Sequence, residues 1–277
     1  MKMKKTIILF ILTFLILIFL SDSSIDIITN FVKIDGANYI YSLDGKNYKI
    51  PSLYVQRTEI TNKDCTELLN WAFLQGYLEI SNKDVYSTYQ GKFLIYILEE
   101  KYSDITFSKN AFSCKKGKEN YPAAGFTWYG AAAIANFLSM QLGFIPVYNL
   151  MQGSITPKGN GFRLPHAYEW EFFFQGGTKS NNYQYAGSNL LDEVGWFEKN
   201  SSKRVQPIMQ KKSNELGIYD LSGNLWEWCY DMGISAGAIV KGGAYDSKES
   251  FCIYSAFAEF EPLESLANVG FRLVRTY

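Results

Sequence analysis

The sequence predicts an α+β domain with little regular secondary structure. Three observations carry that expectation. Three segments repeat apolar residues at helical spacing behind a capping residue or a proline, while several short runs read as strands. Residues 178–238 are punctuated densely by Gly, Asn, Asp and Ser, so side chains must hold much of that stretch. No internal repeat or Pro/Ser-rich linker divides the chain, and 277 residues with 47% apolar content suffice for one sizeable core.

The elements follow in order. Met1 to Lys5 carry three lysines, and thirteen of the fifteen residues Thr6 to Leu20 are Ile, Leu or Phe. Small residues follow at Ser21-Asp22-Ser23-Ser24, the order of a secretory signal. Residues 1–24 are therefore expected to be a signal peptide, or a signal anchor that leaves residues 6–20 in the membrane. Fifteen apolar residues are short for a spanning helix, which needs about twenty. Either way the remainder is expected in the periplasm, at the cell surface or outside the cell.

Residues 31–60 read as strands and turns, with turn signals at Asp35-Gly36 and Asp44-Gly45. Thr61 can cap a helix whose apolar face is Cys65, Leu68, Leu69, Ala72 and Phe73. Residues 76–120 read as polar and irregular. Thr127 can cap a second helix facing the core through Trp128, Ala131, Ala135, Leu138 and Leu142. A third runs from near Pro165 to Gly176-Gly177, proline first and glycine last. Ile239 to Tyr245 and Val269 to Arg275 read as short closing strands.

Composition excludes several functions. There are 27 basic and 27 acidic residues, so no electrostatic footprint for nucleic acid or an anionic membrane surface. The single histidine, His166, cannot build a multi-histidine metal site. It stands where a helix cap is wanted, with Glu169 three residues on, and caps less well than threonine. Arg163 and Arg272 lie between apolar residues and call for carboxylates, with Glu59, Glu169 and Glu171 as candidates. Four cysteines, Cys65, Cys114, Cys229 and Cys252, allow three pairings.

Gly223-Asn224-Leu225-Trp226-Glu227-Trp228 is the best candidate ligand site. Asn224 and Glu227 offer hard oxygens, and the glycine turn exposes carbonyls, the donors calcium prefers. Asp220 and Asp231 stand close in sequence.

Five segments together resemble the formylglycine-generating enzyme, or sulfatase-modifying factor, family. They are Arg57-Thr-Glu-Ile-Thr-Asn62, residues 121–136, Gly161-Phe-Arg-Leu-Pro-His-Ala-Tyr-Glu-Trp-Glu171, residues 214–229, and Val240-Lys-Gly-Gly-Ala-Tyr245 with Asn268-Val-Gly-Phe-Arg-Leu-Val-Arg275. The resemblance covers residues 29–277. It implies a variant of the C-type-lectin-like fold and a calcium ion at Gly223, Asn224, Leu225 and Glu227. The family's enzymes use two cysteines five positions apart, which hold copper(I) while oxygen converts a substrate cysteine to formylglycine. Soft thiolates suit that ion. Here Cys252 takes the first position and Phe257 the second.

The expected function is therefore an exported, non-enzymatic binding or scaffold module with structural calcium, without copper and without nucleic acid. Its partner would be a protein or a glycan at the cell envelope. The alternative is a copper-dependent oxidoreductase acting through Cys252. Tyr183, Tyr185, Trp196 and Phe197 are candidates for a contact face, with Trp196 expected in the core. Cys252 is expected to bridge to Cys229, a buried free thiol being the other reading. Ser255-Ala256-Phe257 is followed by Ala258 and then Glu259-Phe260-Glu261, which presents an apolar and acidic surface or a solvated loop.

Overall fold

The chain opens and closes in one sheet. In the computed structural model, which describes residues 27–277 except Gly153 and Pro157, Phe31–Ile34 runs antiparallel to Leu53–Gln56. The other edge of Leu53–Gln56 takes Val274–Thr276. The expected signal or anchor at residues 1–24 lies outside the described residues. Among the described residues no helix is long and apolar enough to cross a membrane.

A second sheet places the Trp-Glu-Trp segment. Its order is Phe257–Phe260, Ala238–Lys241, Trp226–Met232 and Val269–Gly270, with only the last pairing parallel. The first four residues of Trp226–Met232 are all buried. Both faces of the strand are covered there, so the apolar–polar alternation of a half-exposed strand is lost. The segment expected as one closing strand, residues 269–275, is split between the two sheets.

The three helices stand where expected. Asn62–Leu74 starts at Thr61, whose hydroxyl accepts the Asp64 N–H at 3.1 Å while Asp64 accepts the Thr61 N–H at 3.2 Å. Trp128–Gln141 starts at Thr127, whose hydroxyl accepts the Gly130 N–H at 2.9 Å. Its alanines allow close approach, and eleven of its residues from Trp128 to Ser139 are buried. Ala167–Phe174 follows Pro165 and ends before Gly176.

Residues 76–120 differ from expectation. They hold a three-stranded meander, Leu78–Ser81, Asp84–Ser87 and Phe93–Ile97, and a hairpin, Ile105–Ser108 with Ala111–Cys114. The turns use left-handed Asn82, Lys109 and Asn110, of which lysine is no turn signal. Two large apolar clusters result. One gathers around the first two helices, the other around Ala167–Phe174 and the first sheet.

Candidate functional site

The Gly223 turn is pressed against a neighbouring backbone. Gly195–Trp196 pairs in parallel with Ser222–Gly223, and a Cβ on Gly223 would stand 2.0 Å from the Trp196 carbonyl oxygen. Gly223 has φ +90° and Asn224 has φ +66°, a pair that glycine and asparagine adopt most readily. The Asn224 side chain then reaches sideways. Its Oδ1 accepts the Gln206 N–H at 3.0 Å, and its Nδ2 donates to the Gln206 carbonyl at 3.3 Å. Asn224 thus ties Gln206 to the turn, and its Oδ1, with one hydrogen bond accepted, keeps a second lone pair.

Glu227 is fully buried and meets Arg272, an ion pair that residue spacing did not suggest. Arg272 Nη2 donates to Oε1 at 2.6 Å and Nε to Oε2 at 2.7 Å, while Trp170 Nε1 donates to Oε2 at 2.8 Å. The guanidinium also donates to the carbonyls of Gln56 and Tyr219. Three donors on one carboxylate make a strong, oriented pair.

Two more carboxylates stand beside this pair. Glu59 Oε1 accepts the Leu225 N–H at 3.3 Å, and Asp220 Oδ2 accepts the Met209 N–H at 2.9 Å. Their other oxygens, Glu59 Oε2 and Asp220 Oδ1, are buried without a hydrogen-bond partner. Burial first, then the charges of Asp220 and Glu227, pushes the Glu59 carboxyl well above its usual range. Burial likewise pushes Asp220 up to about 6, against the Met209 N–H and Arg272. Three acidic groups thus share one guanidinium. Among the described residues no three His, Cys, Asp or Glu side chains converge to hold a metal by themselves. An oxygen-seeking cation here would need backbone carbonyls as well. The orphaned oxygens and the excess negative charge fit such a cation; the donor set is all hard oxygen.

A second buried pair lies behind the first. Lys241 Nζ donates to Glu171 Oε1 at 2.8 Å, and Glu171 also accepts from Tyr39, the Ser42 N–H and the Ser42 hydroxyl. Of the expected arginine pairs, Arg163 with Glu169 is present and bidentate, at 2.6 and 2.8 Å. Arg272 takes Glu227 instead of Glu59 or Glu171.

His166 does not cap its helix through the ring. Its Nδ1 lies 2.9 Å from Asp231 Oδ1, and Asp231 Oδ2 accepts the Ala167 N–H at 2.6 Å. The cap is supplied across the fold by Asp231, and Glu169 accepts the His166 N–H at 2.9 Å.

Cys252 is wholly buried in a small cluster with Tyr185, Leu191, Val194 and Phe197. Its Sγ donates weakly to the Lys248 carbonyl at 3.8 Å. Burial, aided by Glu249, pushes the thiol up to about 12. Cys229 belongs to a different cluster, and its sulfur contacts the Glu227 carbonyl at 3.9 Å. The expected Cys229–Cys252 bridge is therefore not formed; all four thiols are free. Phe257 lies in the edge strand beside Lys241 and packs on the cluster of Cys229, not that of Cys252.

The expected contact face also changes. Tyr185 and Phe197 are buried, and Trp196 is half-buried under Lys211, whose Nζ lies 4.1 Å from the ring centre. Tyr183 remains half-exposed. Glu259, in the segment read as an acidic surface or a solvated loop, accepts the N–H groups of Ile234 and Ser235 and so holds the turn at 233–237.

Residues 29–277 match the family model described as sulfatase-modifying factor enzyme 1-like domain. The chain belongs to that family. It is 31% identical over 201 residues to "Chaperone protein LppX" of Paenibacillus barcinonensis, covering 58% of this chain and 71% of that protein. It is 23% identical over 189 residues to the formylglycine-generating enzyme of Streptomyces coelicolor, covering 56% of this chain and 53% of the enzyme. The chain thus spans about half the length of that catalytic relative. The solved structure of CarF matches 90% of this chain and 98% of its own at a TM-score of 0.69 and 22% identity, which shows the shared fold. The family contains enzymes, and this chain has their fold.

Glu59 and Asp220 are what residue spacing underweighted. Leu225 and Glu59 are 166 positions apart, so no local pattern joins them. The one signal was the excess of acidic residues inside the matched segments over the arginines available to pair with them.

Proposed function

We propose that this protein is an exported, non-catalytic binding or scaffold module of the family, stiffened by calcium, that recognises a protein or glycan at the cell envelope. The observation that carries the non-catalytic reading is the state of Cys252. Its thiol is buried, held protonated at neutral pH, and surrounded by apolar side chains with no second sulfur in its cluster. Copper(I) needs thiolate, and a second soft ligand, to be held tightly. Phe257 supplies neither.

Calcium would lie at the turn, taking oxygens from Glu227, Asp220 and the Asn224 side chain, with the carbonyls of Gly223 and Leu225 completing its set. What supports this is the orphaned Asp220 Oδ1 beside the turn and two carboxyls, Asp220 and Glu59, that burial pushes upward and that an added cation would hold ionised. The ion would supply charge compensation and loop stiffness, no chemistry. Export rests on the lysine-then-apolar order of residues 1–20.

Competition for copper(I) against a chromogenic chelator tests the reading. No site tighter than the chelator is expected, and Cys252→Ser should behave as the parent. A stoichiometric tight site lost in Cys252→Ser overturns it. The alternative, a copper-dependent oxidoreductase, is supported by family membership alone.

A further inference from the structure

A cavity of about 230 Å³ is walled by Trp128, Tyr129, Tyr148 and Tyr230, with Asn149, Leu150, Asp231 and Met232 beside them. It is smaller than the ~300–1,000 Å³ that holds a whole drug-sized ligand, so it suits a headgroup. The rings stand against one another along one side of it. Trp128 stands at 87° to Tyr129 with centroids 5.3 Å apart, and at 79° to Tyr148 at 5.8 Å. Tyr230 stands 6.4 Å from Trp128 and 6.0 Å from Tyr148.

Each wall is fixed from behind. Trp128 Nε1 donates to the Cys229 carbonyl at 2.8 Å, the Tyr148 hydroxyl accepts the Leu164 N–H at 2.9 Å, and Tyr129 stacks on Phe93 at 5.2 Å. The polar edges of Trp128 and Tyr148 are thus turned away and used. Asp231 is the one charged residue in the lining. It accepts the Ala167 N–H and lies 2.9 Å from His166 Nδ1, contacts that orient it. Arg163, on the neighbouring segment, is already matched by Glu169.

Several ring faces around one small space, with a lone carboxylate beside them, attract a poorly hydrated cation through the ring quadrupoles. An ammonium that needs hydrogen bonds would compete for Asp231 and for Asn149, whose Oδ1 already accepts the Gln152 N–H. A methylated one needs none. We propose that this cavity binds a quaternary, choline-type ammonium group, free or as a lipid headgroup. The proposal does not depend on whether the chain is catalytic or binds calcium.

The test titrates the full chain with choline and with 3,3-dimethyl-1-butanol, its neutral isostere, following the methyl proton resonances by NMR and the heat by calorimetry. Choline should bind saturably with an upfield methyl shift, and at least about tenfold more tightly than the isostere, which is the worth of a partly desolvated cation–π contact. Tyr129→Leu should weaken choline by about tenfold or more at an unchanged melting temperature. If that variant fails to fold, Asp231→Asn keeps one acceptor oxygen for the Ala167 N–H and turns its amide NH2 to the His166 ring, whose other tautomer accepts, and it should still weaken choline while sparing the isostere. Phosphatidylcholine vesicles that pellet the protein while free choline competes identify the lipid source; choline binding without vesicle binding identifies the solute. No choline binding, or equal binding of choline and its isostere, overturns the proposal.

Discussion

Asp220→Asn should raise stability in a chelator and shrink the gain that calcium brings. Asp220 is buried, and its carboxyl is pushed from an ordinary 3.8 up to about 6 by the loss of water. A folded-state pKa above the unfolded one means that the folded chain binds the proton more tightly. The associated stability is fully present below about pH 4 and is lost as pH rises through 6, about 3 kcal/mol at most. Asparagine removes that loss. It keeps an oxygen for the Met209 N–H and tolerates the left-handed backbone at φ +58°. Urea denaturation at pH 7.5 in EDTA should therefore show Asp220→Asn more stable than the parent, by up to about 3 kcal/mol, with a flatter profile between pH 4 and 6. Calcium at a hundredfold excess over its dissociation constant should add about 2.7 kcal/mol to the parent and less to the variant. A variant destabilised by more than about 1 kcal/mol in EDTA, the worth of a typical lost hydrogen bond, refutes the reasoning. It would mean that Asp220 is ionised and satisfied without a metal.

Other outcomes follow from the same networks. Arg272→Met leaves Glu227 without its cation and should cost about 3–5 kcal/mol in denaturant, the range for breaking one side of a buried pair. Glu171→Ala strands Lys241 in the interior and should cost a similar ~3–5 kcal/mol, with Lys241→Met milder because Glu171 keeps Tyr39 and Ser42. Asp231→Ala removes the cap from Ala167–Phe174 and should lower stability by about 1–2 kcal/mol, read as a shift in melting temperature. Cys252 should resist alkylation in the folded chain at neutral pH and react in urea; rapid native labelling would contradict its buried, protonated state.

Local signals made much of the fold legible. Thr61 and Thr127 announced their helices because a cap is a contact within three residues. Gly223-Asn224 announced its turn because only a few residue types tolerate two left-handed positions in a row. What stayed hidden is what depends on distance along the chain. The strand Trp226–Met232 lost its alternation when both faces were covered. The Glu59–Asp220–Glu227–Arg272 cluster gathers residues from three separate segments, and Asp231 caps a helix 64 positions away. The Cys229–Cys252 bridge was suggested by compartment and count, but the two thiols fold into different apolar clusters. The matched segments offered Gly223, Asn224, Leu225 and Glu227 as the candidate site, whereas the buried oxygens without a hydrogen-bond partner belong to Glu59 and Asp220.

The central claim is that Cys252 performs no oxidation. It is tested most directly by incubating the full chain with a peptide carrying a sulfatase cysteine motif, copper(I) and oxygen, and weighing the peptide by mass spectrometry. The account predicts a peptide cysteine unchanged beyond the no-protein control. Conversion of that cysteine to formylglycine by the parent, abolished in Cys252→Ser, would contradict it.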